Sequence, residues 1–335
     1  MCEHAQIKAG VGMEKALSSI EFVQEYCGSR IYMKRDDKIP FSFGGNKVRI
    51  AGELFDDIRK GGYTAVISYG SASSNMNRAI ADTAKLNNIK CYCIIKKEPG
   101  AAETENERLV KKSGAEIIYC GGNAVKACVE AVIDKAVSEG YKPYYIYGDS
   151  TGKGNEAALM RASYKEYGEI LDYEGESDIE FDAIVLTVGT DMTISGLAAA
   201  MSDSLAEDKK AHSCKLVGIS AARSRESVMS HIGEDMKSFF GGDGQRIRVL
   251  PEIKDEYLCG GYGKYNEHIE AVIREAESKG IQLDPCYTGK SWWGMLSEIE
   301  KGGICGNILF IHTGGYPVYL DWKNTLRYEY VRQIY

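Results

Sequence analysis

The chain has 335 residues, 44% hydrophobic and 27% charged, with 41 basic against 48 acidic side chains and a net charge of -7. That length exceeds one ordinary core and points to two lobes of α/β type meeting at a cleft, where ligand sites are favoured. No basic stripe offers nucleic acid a seat and no window reaches the ~20 apolar residues that span a bilayer; the opening MCEHAQIKAG lacks a leader's basic start and apolar run, so the expected location is cytoplasmic.

The first local feature is SFGGNKVR (42–49), where one lysine follows two glycines and an asparagine just ahead of a helical segment. TAVISYGS (64–71) then reads as a strand, with Ser71, Ser73, Ser74 and Asn75 at its mouth and an alanine-rich helix beyond. Helix amides and small hydroxyls suit an anion, although capping by Ser74 or Asn75 needs no ligand. KCYCIIKK (90–97) is the next strand, and Cys91 and Cys93, two apart, face one side of it. The ten cysteines form no C-x-x-C pair and have no matching histidine spacing, which argues against zinc and against a redox dithiol.

AEIIYCGG (115–122) continues the strand rhythm, and the acidic stretch 164–182 breaks it as a connection between halves would. After FDAIVLTVGT (181–190), Gly189, Thr190, Thr193 and Gly196 precede another helix. They form a possible phosphate cradle that matches neither the Walker pattern nor G-x-G-x-x-G. KLVGIS (215–220), GGYGKYNEHI (260–269), LDPCYTGKSWWGML (283–296) and NILFIHTGG (307–315) complete the series. Continuous apolar strands separated by helices require parallel sheets covered on both faces, so the fold class is α/β, and polar residues just after the strands are where chemistry is expected. One of Trp292 and Trp293 is expected in the core and the other over the pocket. His312 is expected behind its loop, holding Thr313, rather than as a base.

Taken together and in this order, KRDD (34–37), FGGNKVR (43–49), GSASSN (70–75), GYG (261–263) with Asn266 and Glu267, LDPCYTGK (283–290) and ILFIHTGG (308–315) resemble one family. It is the pyridoxal-phosphate enzymes of the tryptophan-synthase-β fold (fold type II), in the branch holding D-cysteine desulfhydrase and 1-aminocyclopropane-1-carboxylate deaminase. The resemblance implies two lobes, each an open, mostly parallel sheet covered by helices: residues 1–50 with 160–335 as the larger, cofactor-binding one, and 51–159 as the smaller. It also implies a homodimer and a small amino-acid substrate.

By the same resemblance Lys47 forms the Schiff base with the cofactor aldehyde and returns protons. A lysine must be neutral to attack an aldehyde, and burial lowers its pKa toward that state. Gly44 and Gly45 are expected to let the cofactor approach the backbone. Asn75 is implied at the cofactor's phenolic oxygen, Ser74 at the substrate carboxylate or in proton transfer, and Gly189, Thr190, Met192 and Thr193 around the phosphate. Tyr262 and Tyr287 are implied in the substrate pocket, Tyr287 also in catalysis; the alternative for both is aromatic packing at the lobe interface, a reading that for Tyr262 stands close behind the pocket one.

Thr288 stands where the deaminase branch has glutamate and the desulfhydrase branch threonine. A neutral hydroxyl opposite the pyridine nitrogen gives a weaker electron sink, which suits loss of a β-substituent better than opening of a cyclopropane. Departures from the pattern also cluster here. Met76 replaces a polar residue beside the substrate carboxylate, Ile50 a basic one expected at the phosphate, and Tyr316 a small one at the pocket wall, while Asp191 enters the phosphate loop. The expected activity is β-elimination on D-cysteine or a related D-amino acid, giving a keto acid and ammonia. The alternatives are β-replacement, cyclopropane deamination, and a non-catalytic binding protein on the same scaffold.

Overall fold

A computed structural model describes residues 17–121, 124–206 and 214–334, with side chains to 326. Cys2, the opening ten residues and the end of the 115–122 run lie outside the described residues. In chain order the elements are β1 (Ile20–Tyr26), β2 (Ser29–Lys34), α1 (Asn46–Lys60), β3 (Ala65–Ser71), α2 (Asn75–Asn87), β4 (Lys90–Lys96), α3 (Glu105–Ser113), β5 (Glu116–Cys120), α4 (Val125–Ser138) and β6 (Pro143–Tyr145). There follow α5 (Glu156–Ser177), β7 (Ala183–Val188), α6 (Met192–Ala206), β8 (Lys215–Ser220), α7 (Arg225–Phe239), β9 (Glu252–Lys254), α8 (Glu267–Ser278), α9 (Thr288–Glu300), β10 (Asn307–Ile311) and α10 (Tyr316–Ile334).

Two sheets result. One has the order β1-β2-β10-β7-β8-β9 and is parallel except for the antiparallel β1–β2 hairpin; the other, β5-β4-β3-β6, is wholly parallel. Helices cover both faces, which is why β7 is buried along its whole length and reads as an unbroken apolar run. Cys91 and Cys93 lie on one face of β4 with their sulfurs 3.7 Å apart in the core beside α2.

The acidic stretch 164–182 is not a loose connection, since most of it belongs to α5, a 22-residue helix whose apolar side chains enter the cores beneath both sheets. Gly196 is not part of a loop either. It lies inside α6, where an added Cβ would stand 2.3 Å from the Met160 carbonyl, so it permits the close crossing of α5 and α6. No helix among the described residues is long and apolar enough to cross a membrane.

A buried charge cluster fixes α1, which carries the lysine of FGGNK. Arg49 donates from Nε and Nη2 to Asp36 just after β2, at 2.7 and 2.8 Å, and from Nη1 and Nη2 to Glu169 of α5, at 2.6 and 2.9 Å. Lys34, fully buried, reaches the same Glu169 at 2.6 Å. Glu166 sits among these groups without a hydrogen bond, and burial, helped by the Asp36 charge, pushes its carboxyl up to about 8. With Glu166 protonated, two cations face two anions and the cluster is neutral.

Removing Arg49 leaves Asp36 buried and unpaired, so Arg49→Met should lose about 3–5 kcal/mol of stability, read as a lower urea midpoint. Glu166 holds its proton in the folded chain above its ordinary value of 4.5. Its contribution is therefore full below pH 4.5 and is lost as pH rises through about 8. Glu166→Gln should flatten the stability profile across that window, and parallel profiles for the two proteins would show that no such proton is held.

Candidate active site

The carboxyl ends of β3, β7, β8 and β10 open onto one cavity of about 430 Å³, within the range of small-molecule sites. Lys47, the second residue of α1, lines it. Burial lowers the amine's pKa to about 8 against the opposing pull of the Asp191 carboxylate. The glycines before it serve a different purpose from the one expected. A Cβ on Gly44 would fall 2.5 Å from the Asp37 carbonyl and one on Gly45 2.6 Å from that of Thr313, and both have positive φ. It is protein backbone, from the loops after β2 and β10, that presses against them.

Ser74 and Asn75 open α2 and both line the cavity. Ser74 caps the helix by accepting from the Asn77 amide at 3.2 Å, so its hydroxyl hydrogen remains to be donated. The Asn75 carbonyl oxygen accepts from Arg78 at 2.9 Å and from Asn106 at 3.0 Å, which leaves its amide NH2 as the free donor. Arg78 and Asn106 went unrecognised in the sequence, where an arginine and an asparagine inside helices carry no distinguishing spacing.

Gly189 and Thr190 line the cavity just before α6, and Thr193 lines it from the first turn, its hydroxyl accepting from Asn46 at 2.9 Å. Arg223, also missed, supplies the cavity's guanidinium. It faces Asp191 at 3.6 Å, as does the His231 ring, so the aspartate of this loop is turned to a guanidinium and an imidazole. Burial nonetheless raises the Asp191 pKa. Ile50 gives no phosphate contact because it is 2% exposed in the core between α1 and α2. Met192 likewise begins α6 with its side chain packed into apolar core and does not line the cavity.

Tyr262 and Tyr287 face each other across the opposite wall. Tyr287 Oη donates to Tyr262 Oη at 3.0 Å, and Tyr262 Oη lies 3.3 Å from Ser71 at the end of β3. Burial raises both phenol pKa values, that of Tyr287 well above the ordinary value, so both stay protonated at neutral pH. Met76 lines the cavity too.

Thr288 and Tyr316 are not brought to the cavity wall. The Thr288 hydroxyl donates to the Asp284 carboxylate and accepts from the Asp284 amide, both at 2.8 Å. Asp284 also accepts from the amides of Cys286, Tyr287 and Thr288, which fixes the turn leading into α9. Tyr316 stacks on Phe43, ring centroids 6.1 Å apart, and on Tyr319.

Trp292 is in the core, but Trp293 stacks on His268 and meets Tyr257 edge-on instead of covering the pocket. His312 accepts from the Gly314 amide at Nδ1, 3.2 Å, which places its proton on Nε2, donated to the Gln282 carbonyl at 3.0 Å. It shapes the 313–315 loop.

A family model described as pyridoxal-phosphate dependent enzyme matches residues 14–314. The chain belongs to that family. It is 30% identical to a putative 1-aminocyclopropane-1-carboxylate deaminase of Pyrococcus horikoshii, over 90% of this chain and 89% of the relative. To a D-cysteine desulfhydrase of Yersinia pestis it is 27% identical, over 92% and 93%. Among solved structures it superposes on a 1-aminocyclopropane-1-carboxylate deaminase homologue with a TM-score of 0.78 at 28% identity, over 91% of each chain. A hydrogen sulfide-producing enzyme of Fusobacterium nucleatum shares the fold, with a TM-score of 0.62 at 17% identity over 90% of this chain and 96% of that one.

The cavity fits the cofactor of this family. It offers a lysine amine whose pKa burial has lowered, an amide donor pre-aimed by two partners, and a helix N-terminus with small residues and an arginine. These match an aldehyde, a phenolic oxygen and a phosphate in turn. Because the Lys47 amine must be neutral to react, cofactor uptake by stripped protein should speed up with pH and reach half its plateau near pH 8. Stopped-flow absorbance would follow this, and a midpoint near 10.5, the ordinary lysine value, would mean that the amine is not desolvated.

Proposed function

We propose that the protein is a lyase that eliminates the β-substituent of a small D-amino acid, D-cysteine or a close relative. One observation carries the reaction type: among the described residues the cavity wall contains no carboxylate, and its charged side chains are Lys47 and Arg223. Asp284 stands behind Thr288, committed to its hydroxyl and to the amides of the turn leading into α9. A cavity without an acid cannot hold the cofactor's ring nitrogen protonated by a carboxylate, so electron withdrawal is moderate, and departure of a β-substituent with its own electron pair is the step this favours. The D-configuration and the thiol rest on the relatives named D-cysteine desulfhydrase, 27% identical across nine-tenths of this chain.

The residues then take these roles. Thr190, Thr193, the first amides of α6 and Arg223 hold the phosphate, and the Asn75 amide donates to the phenolic oxygen. Lys47 anchors the cofactor, which when bound supplies the conjugated ring that stabilises the electron pair left at the substrate α-carbon. The Ser74 hydroxyl and the amides at the start of α2 bind the substrate carboxylate, where the helix dipole favours it. The Lys47 amine takes the α-proton. The Cβ–S bond breaks with its electron pair going to sulfur, and the protonated phenols of Tyr287 and Tyr262 are the donors at hand for the leaving group. Addition of one water releases pyruvate and ammonia, so D-cysteine and water give pyruvate, sulfide and ammonia.

Incubation with D-cysteine should yield sulfide, pyruvate and ammonia in equal amounts, and Lys47→Ala should be at background in both product formation and visible absorbance. 2-Oxobutanoate from 1-aminocyclopropane-1-carboxylate, with no sulfide from D-cysteine, would instead establish the deaminase. Faster turnover of L-cysteine would overturn the assigned configuration.

A further inference from the structure

Lys290, the third residue of α9, takes no part in the chemistry above, yet it is 0% exposed. Its Nζ donates to three backbone carbonyls: Ala221 at 3.0 Å, Leu258 at 2.8 Å and Gly261 at 2.7 Å. Among the described residues no carboxylate comes within ion-pair distance of it. A neutral amine has two N–H groups and a lone pair, and a carbonyl only accepts, so three carbonyl partners require the ammonium form. Burial opposes the charge and the more distant Asp284 carboxylate favours it, but the groups in direct contact with it are three backbone dipoles, arranged as around a bound metal cation.

The three acceptors belong to segments that build the cavity. Ala221 ends the β8 strand extension and is followed by the wall residues Ala222 and Arg223, while Gly261 is followed by Tyr262. Lys290 itself lies three residues after Tyr287. The loop it gathers is strained, with φ of 53° at Cys259, 87° at Gly260 and 116° at Gly261. The first of these is a left-handed backbone on a residue with a side chain, which persists only where its surroundings impose it.

We propose that Lys290 is a positioning residue, a built-in cation whose convergence on the carbonyls of Ala221, Leu258 and Gly261 sets Arg223, Tyr262 and Tyr287 around the cavity. Its functional consequence rests on the pyridoxal-phosphate lyase reading; its structural consequence does not. Lys290→Met keeps the aliphatic length and removes charge and donors, whereas Lys290→Ala leaves the three carbonyls around a space that a small cation can enter.

Hydrogen exchange should accelerate at residues 221–223 and 258–263 in Lys290→Met, with or without cofactor. In the holoenzyme the substrate KM should rise by about tenfold or more, the scale of loss when the orienting partners of a ligand site are removed, and kcat should fall with it because the displaced Tyr262 and Tyr287 are also the donors to the leaving group. In Lys290→Ala, potassium or ethylammonium should restore both exchange protection and KM, while tetramethylammonium at equal concentration, lacking N–H groups and too bulky for the space, should not.

Wild-type exchange and KM in Lys290→Met would overturn the proposal. So would a Lys290→Ala protein that neither cation restores, folded or not, or one that tetramethylammonium restores equally. If wild-type protein failed to bind pyridoxal phosphate while the exchange results held, the lyase reading would fail and the positioning role would stand.

Discussion

The structure depends on where α1 is held, and α1 is held by a buried guanidinium. Arg49 has donors in a planar fork, and the fork is filled by Asp36 from the turn just after β2 and Glu169 from α5. Two residues earlier on the same helix stands Lys47, and on its other flank Ile50, Ala51 and Leu54 pack against α2. A helix gripped by charge on one side and by apolar contact on the other has little freedom to turn, so the amine is presented to the cavity at a fixed place. The Gly44–Gly45 backbone packs closely against the loops after β2 and β10 at the start of the helix.

The cavity's electrostatics follow from what is kept out of its wall. Carboxylates are near it, but each is engaged: Asp284 with the amides that open α9, Asp191 with Arg223 and His231, Asp36 with Arg49. What remains at the surface is an amine of lowered pKa, two phenols of raised pKa, hydroxyls and helix N-termini. Above about pH 8 one group is thus ready to accept a proton and two to donate one, the division of labour that elimination needs.

Much of this was legible in the sequence because glycine, serine and asparagine directly after apolar runs mark strand ends in a parallel sheet. The stretches at 43–49, 70–75 and 307–315 accordingly fall where expected, as do Ser74, Asn75, Thr190 and Tyr287 on the cavity wall. The β1–β2 hairpin escaped notice because β1 is an edge strand, half-buried along its length, with a bulge between Phe22 and Gln24 that breaks alternation. Thr288 and Met192 were misplaced for a common reason. Sequence adjacency puts them beside true wall residues, but the first turn of a helix rotates successive side chains by about 100°, so neighbours face different ways. Arg223 and Lys290 act through partners distant in sequence, and Arg78 joins Asn106 of α3 to Asn75 three residues before it; a single basic residue in a helix or loop gives no sign of which group it will meet.

The aspartate in the phosphate loop shows how such a departure is accommodated. Asp191 is 3% exposed, one of its oxygens lacks a hydrogen bond, and burial has already raised its pKa. Arg223 lines the cavity and stands 3.6 Å from this carboxylate, so under the proposed reading it is the cation an incoming phosphate would share. Once the guanidinium turns part of its charge to the phosphate, Asp191 loses stabilisation and gains a negative neighbour, and both changes raise its proton affinity further. Anion binding and protonation of Asp191 therefore favour one another, and a carboxylate that would repel a dianion as a fixed charge need not do so as one that accepts a proton.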